Sequence, residues 1–311
     1  MNNTITSLQE SVLNIKRLKA QRYLYSRAKW LFGWQVFFNV AVVIVVALVA
    51  LAYDKSFWSL PHKDLAWVVG ACGMTFFLAD TFLWTPGINC YRQLAAGIQQ
   101  SFDSEVLQLS WDKILFGNQP SHENVERYSR HYDKANHPAN DLLGWYHQDI
   151  SSVPLEVARF ICQQTNCWWD MDLRRRYNGI IIGFGITLCG IMSIIAFYFG
   201  LTAQLFFALV VAPCLPFFAT AATLFQNNRD AVARLCDMKM EMESQWNAVL
   251  NRQLPLDQLT DFSCHIQRGI YLNRVNNPLI FDWLYRLSKD DHEQTTSQSV
   301  SHYVQQYHQR P

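Results

Sequence analysis

Three stretches of the chain carry no Asp, Glu, Lys or Arg: residues 30–53, 65–79 and 177–228. A membrane-crossing helix needs about 20 consecutive apolar residues. Residues 31–52 and 65–84 therefore each make one span. The third stretch is too long for a single span and divides into 178–199 and 204–225, with Gly200-Leu201-Thr202-Ala203 as the turn. Outside these stretches the apolar positions recur at three- and four-residue steps, the period of helices with one buried face. Ile5, Leu8, Val12 and Ile15 form such a stripe, with Ser7 and Glu10 at capping-box spacing. Leu235, Met238, Met242, Trp246 and Val249 form another over 229–253, which follows the fourth span without a breaker and stops at Pro255. Further helices are predicted over 87–100, 121–133 and 154–164, then along Leu259, Phe262, Ile266 and Ile270, then from the Asn276-Asn277-Pro278 turn to about Lys289. Residues 106–111 alternate apolar and polar, as a short strand does. The tail from 290 is rich in Gln, Ser and His, lacks an apolar stripe, and reads as disordered.

The pattern predicts an all-α membrane protein with four transmembrane helices and a mostly helical cytosolic domain. Its segments are a cytosolic amphipathic helix (1–29), a transmembrane hairpin (30–84) and a cytosolic helical segment (85–176). A second hairpin (177–228), another cytosolic helical segment (229–289) and the tail (290–311) follow. Composition agrees: 50% of residues are hydrophobic and only 16% charged, against about a quarter charged in ordinary soluble domains. A net charge of +1 excludes a strongly basic DNA-coating protein. Of the 26 Lys and Arg, only Lys55 and Lys63 fall in a hairpin loop. The positive-inside rule then sets both termini and the central segment in the cytoplasm of a multi-pass inner-membrane protein. The N-terminal polar stretch of 29 residues does not read as a cleavable leader.

Little points to catalysis. No GxxxxGK[ST] or HExxH occurs; Gly183, Gly185 and Gly190 lie inside a span, where no dinucleotide loop forms. Cys162 and Cys167 are five apart, which is not a zinc spacing, and a reducing cytosol disfavours disulfides. The sequence thus predicts neither an enzyme nor a metal site nor a resident cofactor.

The most informative stretch is 142–178. Trp145-Tyr146, Pro154-Leu155, Ala158-Arg159, Ile161-Cys162-Gln163, Asn166, Trp169-Asp170 and Leu173-Arg174-x-Arg176-Tyr177 carry a likeness to a known family. So do Phe102-Asp103, Trp111-Asp112, Asn228-Arg229-Asp230 and Arg274 with Pro278-Leu279-x-x-Asp282-Trp283-x-Tyr285. Over roughly residues 15–288 the chain resembles the SMODS- and SLOG-associating four-transmembrane effectors of bacterial anti-phage defence. The resemblance implies an inner-membrane effector, controlled by a cyclic oligonucleotide from a cognate synthase, that permeabilises the bilayer and arrests growth. It brings no assigned site residues.

Physical chemistry supplies candidates. A cyclic oligonucleotide offers phosphates to guanidinium forks and bases to polar and aromatic side chains. Arg159, Gln163, Asn166, Arg174, Arg175 and Arg176 place such groups within one stretch, and Tyr271 and Arg274 sit one turn apart. Trp168 and Trp169 fit either base stacking or the membrane border. The arginines also fit two readings, since Asp170/Arg174 and Asp172/Arg176 are i,i+4 pairs. Within the spans, Asp80 is the one acidic or basic residue. Gly179 and Gly183, with Thr187, make a face suited to close helix packing. Pro213 and Pro216 interrupt the fourth span, where a kink is expected. The predicted partners are the lipid bilayer, the nucleotide and further copies of the chain in a homo-oligomer, and not DNA. Two alternatives stand beside the effector: a small-solute channel or transporter, and a membrane-anchored scaffold without pore activity.

Overall fold

The computed structural model describes residues 3–42, 45–46, 49, 53, 66–135, 142–198, 200, 202–207 and 211–310. These are helical throughout, without a strand among the described residues. In order they are α1 (Ile5–Gln9) and α2 (Val12–Val36), which continues as a π-helical turn (Phe37–Val42). Next come α3 (Ala66–Ala79), a second π-helical turn (Asp80–Trp84) and α4 (Thr85–Val106). Then follow α5 (Lys113–Phe116), α6 (His122–Lys134), a 3₁₀ turn (Gln148–Ser152) and α7 (Leu155–Tyr198). The last four are α8 (Ala203–Phe206), α9 (Ala212–Leu250), α10 (Leu256–Asn276) and α11 (Asp282–Gln309). The predicted loop at 54–64 lies outside the described residues. So do Leu201 of the predicted turn and parts of the spans predicted at 31–52, 65–84, 178–199 and 204–225.

The helices fall into two units. Unit one comprises Met1–Arg27, Cys90–Arg175 and Arg229–Pro311; unit two comprises Ala28–Asn89 and Arg176–Asn228. Unit one has an ordinary interior, in which Phe102, Phe160, Ile161, Leu235, Met242, Trp246, Leu259 and Ile266 pack together. The Phe160 ring stacks on Trp246 at 5.5 Å. Local chemistry ends the helices where the backbone needs it. Asp112 accepts from the amides of Ile114 and Leu115, and Ser121 accepts from that of Asn124, each satisfying orphan donors of a first turn.

Unit two is built the other way round. Trp67, Phe82, Leu83, Phe184, Ile186, Ile194, Phe197 and Tyr198 are all exposed, Phe197 at 92%. A water-soluble surface rarely carries so continuous an apolar cover. Among the described residues, one helical stretch is long and apolar enough to cross a membrane, Leu155–Ile194, with mean hydropathy 1.7. Gly200 takes φ 57° between α7 and α8, in the left-handed region that glycine enters without strain. Phe38 stacks on Trp84 and packs on Phe76, joining the two π-helical turns of the first hairpin.

Four expectations are corrected. The N-terminal stripe is two helices, because Ser11 rather than Ser7 caps the longer one: its hydroxyl accepts from Asn14 N, and Val12 is left 76% exposed. Residues 106–111 are not a strand; α4 runs through Val106, and Gln108 turns the chain at φ 51°. The helix predicted to end near Lys289 continues to Gln309. The tail from 290 is therefore not disordered. It lies on unit one through a buried stripe of Ser288, His292, Val300, Val304 and Tyr307. Its polar composition hid this, because hydrogen bonds make the buried polar positions tolerable. Tyr303 accepts from Gln164 Nε2 at 3.0 Å, and Gln306 Oε1 from Trp246 Nε1 at 2.9 Å.

Candidate functional site

The interior of unit one holds a polar cluster centred on Asp103, which is wholly buried on the apolar face of α4. Its Oδ1 accepts from the Tyr146 hydroxyl at 3.0 Å, and its Oδ2 from Gln267 Nε2 at 3.0 Å and Arg274 Nη1. A second layer completes these partners. Gln267 Nε2 also bonds Gln100, Gln163 Nε2 donates to Gln267 Oε1 and Ser263 O, and Asn166 Nδ2 donates to the Tyr146 hydroxyl. Gln9 clasps the Tyr146 backbone, donating to its carbonyl and accepting from its amide. The cluster thus joins α1, α4, α7, α10 and the turn before residue 148.

A charged pair this deep is held only when its remaining donors and acceptors find partners. Burial acts against the Arg274 guanidinium, but Asp103 outweighs it, and the net effect raises the Arg274 pKa. Burial, with Asp103 and Cys162 adding to it, raises the Tyr146 phenol well above its ordinary value. Tyr25 on α2 faces Arg274, Asp170, Arg92 and Asp103 and is likewise raised, chiefly by burial. A shallow cleft borders the cluster, lined by Leu109, Ser110, Asp112, Phe116, Cys264, Gln267 and Arg268. Arg268, with a half-exposed side chain, pairs with Asp112 at 3.0 Å, and the Tyr271 ring packs edge-on against Phe116.

The structure divides the sequence candidates. Arg159 is buried and holds the turn after α4, donating from Nε to Leu107 O (2.7 Å), from Nη2 to Gln108 O (3.1 Å) and from Nη1 to Thr260 Oγ1 (3.1 Å). Gln163, Asn166 and Arg274 are members of the cluster. Arg174 pairs with Asp170 at 3.0 Å and donates to Pro278 O. Arg175 and Arg176 are exposed. Trp168 and Trp169 both pack edge-on to His292, whose Nε2 lies 2.8 Å from Asp172 Oδ2.

In unit two, Asp80 accepts from Gln35 and Thr85, so the carboxylate in the first hairpin has polar partners. A methyl group added at Gly179 or Gly183 would meet nothing within 4 Å. Their small-residue face is therefore open among the described residues rather than closed on a neighbouring helix. The backbone of α9 is helical through Pro213 and Pro216.

Comparison with known proteins now bears on the whole arrangement. The SMODS-associating 4TM effector domain matches residues 3–303. The chain belongs to this family. It is also 22% identical over 293 residues to a probable CBASS effector molecule of Bacillus cereus (strain VD146), covering 91% of this chain and 93% of that protein. No solved structure matches. The resemblance drawn from the motifs in 142–178 is the family found here.

Asp103, Tyr146, Gln100 and Gln267 were not among the sequence candidates for the site. A signal existed for Asp103: it shares a helical face with Ala96, Val106 and Leu107, where an acid must find a buried cation. The buried thiols give a direct check on this interior. Burial raises Cys162 well above its ordinary value and pushes Cys167 up to about 12, Asp103 and Asp170 respectively adding to it. Iodoacetamide at pH 8 is expected to label exposed Cys90 while sparing both until the protein is denatured. The native state keeps these protons above the ordinary thiol pKa of about 8.5 while the unfolded chain releases them. Stability is therefore present below that pH and falls as pH rises toward the folded values. Cys167→Ala should flatten a denaturation series there by at most about 1.4 kcal/mol per pH unit.

Proposed function

We propose that the chain is an inner-membrane effector of anti-phage defence in which four spans permeabilise the bilayer under control of a cyclic oligonucleotide. The observation that carries the membrane role is the contrast between the units: unit one buries a large apolar core, whereas the long helices of unit two expose most of their large apolar side chains. Lipid is the solvent that such a surface requires. Four spans accord with the three charge-free stretches and with the family's description. The distribution of Lys and Arg favours a cytosolic unit one with both termini inside. Control by a nucleotide draws on the Bacillus cereus relative, named as a probable CBASS effector molecule. The effector acts through the membrane rather than through catalysis, as a homo-oligomer.

In unit one the nucleotide meets the cleft beside Gln267. Phe116 lines the cleft with the Tyr271 ring packed edge-on against it, and the half-exposed Arg268 can exchange Asp112 for a phosphate. Arg268→Ala is expected to weaken binding by about 10- to 100-fold, the range for losing a hydrogen bond to a charged group. Titrating purified protein with a panel of cyclic di- and trinucleotides measures this, and unchanged affinity removes Arg268 from the site.

Dye leakage from proteoliposomes tests the activity. Release that depends on one nucleotide of the panel supports the effector. Nucleotide binding without release would instead mark a scaffold. Topology has its own test: in a cysteine-free background, periplasmic reagents should reach cysteines placed at 55–63 and 200–203. Labelling from outside at 130 or 265 would overturn the orientation.

A further inference from the structure

The chain passes between its two units four times, after Arg27, after Asn89, after Arg175 and after Asn228. One residue of unit one close to each passage reaches the same short segment, the end of α10 and the start of α11. Ser26 Oγ donates to Asp282 Oδ2 at 3.2 Å, across 256 positions of sequence. Arg92 Nη1 donates to Asn277 O at 3.1 Å, across 185 positions. Arg174 Nη1 donates to Pro278 O at 3.2 Å, across 104. Arg234 donates from Nη2 to Asn277 Oδ1 at 2.8 Å and from Nε to Asn273 Oδ1 at 3.2 Å. Arg22, one turn before Ser26, lies 5.4 Å over the Tyr285 ring.

The chemistry of a helix end explains why guanidiniums gather here. The last carbonyls of a helix have no partner within it and carry the negative end of its dipole. Pro278 has no amide hydrogen and prevents α10 from continuing. The Asn277 and Pro278 carbonyls are thereby left to outside donors, and Arg92 and Arg174 supply charged ones, while Arg234 holds the Asn273 and Asn277 side chains. Asn273 and Asn277 are 5% and 3% exposed, so bonds made here are little weakened by water. The same helix carries Gln267 and Arg274 of the Asp103 cluster one to three turns upstream.

We propose that residues 273–285 form a coupling collar: one element that binds all four passages and moves them together when the Asp103 cluster rearranges. The collar's role in control rests on the function proposed above, but its existence as one mechanical element does not. Asn277 is its centre, meeting Arg92 through its backbone and Arg234 through its side chain.

Amide hydrogen exchange of the full-length protein in phosphatidylethanolamine/phosphatidylglycerol nanodiscs tests this without any ligand or leakage assay. Asn277→Ala removes the acceptor of Arg234 alone. A collar predicts exchange faster by about tenfold in all four peptides 22–30, 84–93, 172–180 and 227–236, the size expected for a local opening easier by one tenfold step. Asn277→Asp keeps an acceptor and should restore slow exchange, and the 122–134 peptide should stay unchanged in both variants. Acceleration confined to 227–236, or none anywhere, overturns the collar. Where Asn277→Ala also accelerates 122–134, general unfolding is the cause and Ser26→Ala takes its place. Its loss of one hydroxyl should then be felt at 84–93 and 227–236, and an effect limited to 22–30 overturns the proposal. Cysteines placed at 182, 184 and 186, which lipid should shield from a water-soluble maleimide in the same nanodiscs, separate a failed collar from a failed membrane reading.

Discussion

Asp103→Ala is expected to destabilise unit one by about 3–5 kcal/mol, the usual penalty for removing one partner of a buried ion pair. The variant leaves the Arg274 guanidinium, whose side chain is 15% exposed, without its carboxylate. It also takes the acceptor from the Tyr146 hydroxyl and from Gln267 Nε2. Replacing both members of the pair by apolar residues of similar size, Asp103→Leu with Arg274→Met, should restore much of that loss. A buried pair stabilises little relative to well-packed hydrophobic groups, and most of the single-variant effect is the stranded charge. Denaturant unfolding in detergent, followed by the fluorescence of Trp246 and its neighbours, measures both. A single variant within 1 kcal/mol of the parent, on the order of an ordinary surface substitution, would show that Arg274 finds another partner. The Asp103 cluster would then not organise the interior.

Much of the fold was legible because its two solvents leave opposite marks. Charge-free runs and runs with helical period alternate along the chain, and the unit boundaries after Arg27, Arg175 and Asn228 lie within three residues of those changes, while that after Asn89 lies ten residues beyond the 65–79 run. The continuous helix from the 212 region into the 240s was legible for the same reason, since no breaker stands between Pro216 and Leu250. The errors share one cause. Ser7 and Ser11 are equally good caps by composition, and only the turn at Glu10–Ser11 decides between them. The tail was misread because its buried stripe is half polar, so that His292, Thr296 and Ser288 concealed Val300, Val304 and Tyr307. Apolar periodicity detects burial only where burial excludes polar groups. Here Asp172 on α7 supplies the partner of His292, and Gln164 and Trp246 on α7 and α9 bond Tyr303 and Gln306 beside the stripe.

The candidate site was legible in location more than in role. The motif-bearing stretch around 159–176 does lie beside the cluster, and Gln163, Asn166 and Arg274 belong to it. What sequence spacing could not reveal is which guanidiniums are already occupied. Arg159 lacks an acid at i−4 or i+4, a reason to regard it as available, yet two backbone carbonyls and a hydroxyl already hold all three of its nitrogens. Backbone acceptors leave no trace in composition. Arg268, by contrast, gave no signal in sequence and is half exposed at the cleft.

Arg159→Ala therefore separates the two roles. Burial lowers the Arg159 pKa, Glu156 working against that shift, and the guanidinium stays charged because an arginine remains protonated far above neutral pH. Its loss would leave the Leu107 and Gln108 carbonyls without this donor, at a turn where Gln108 already sits at φ 51°. Each unsatisfied buried group costs about 1–3 kcal/mol, and an uncommon backbone conformation persists only while its surroundings hold it. The expected result is destabilisation by about 2–4 kcal/mol, with faster amide exchange centred on residues 107–117. Nucleotide affinity, measured below the new melting temperature, should fall only as far as that turn loosens the cleft. Arg159→Lys keeps the charge but not the three-way fork and should recover less than half of the lost stability. An Arg159→Ala protein as stable as the parent, but blind to every nucleotide of the panel, would return this arginine to the binding site and dismiss its structural role.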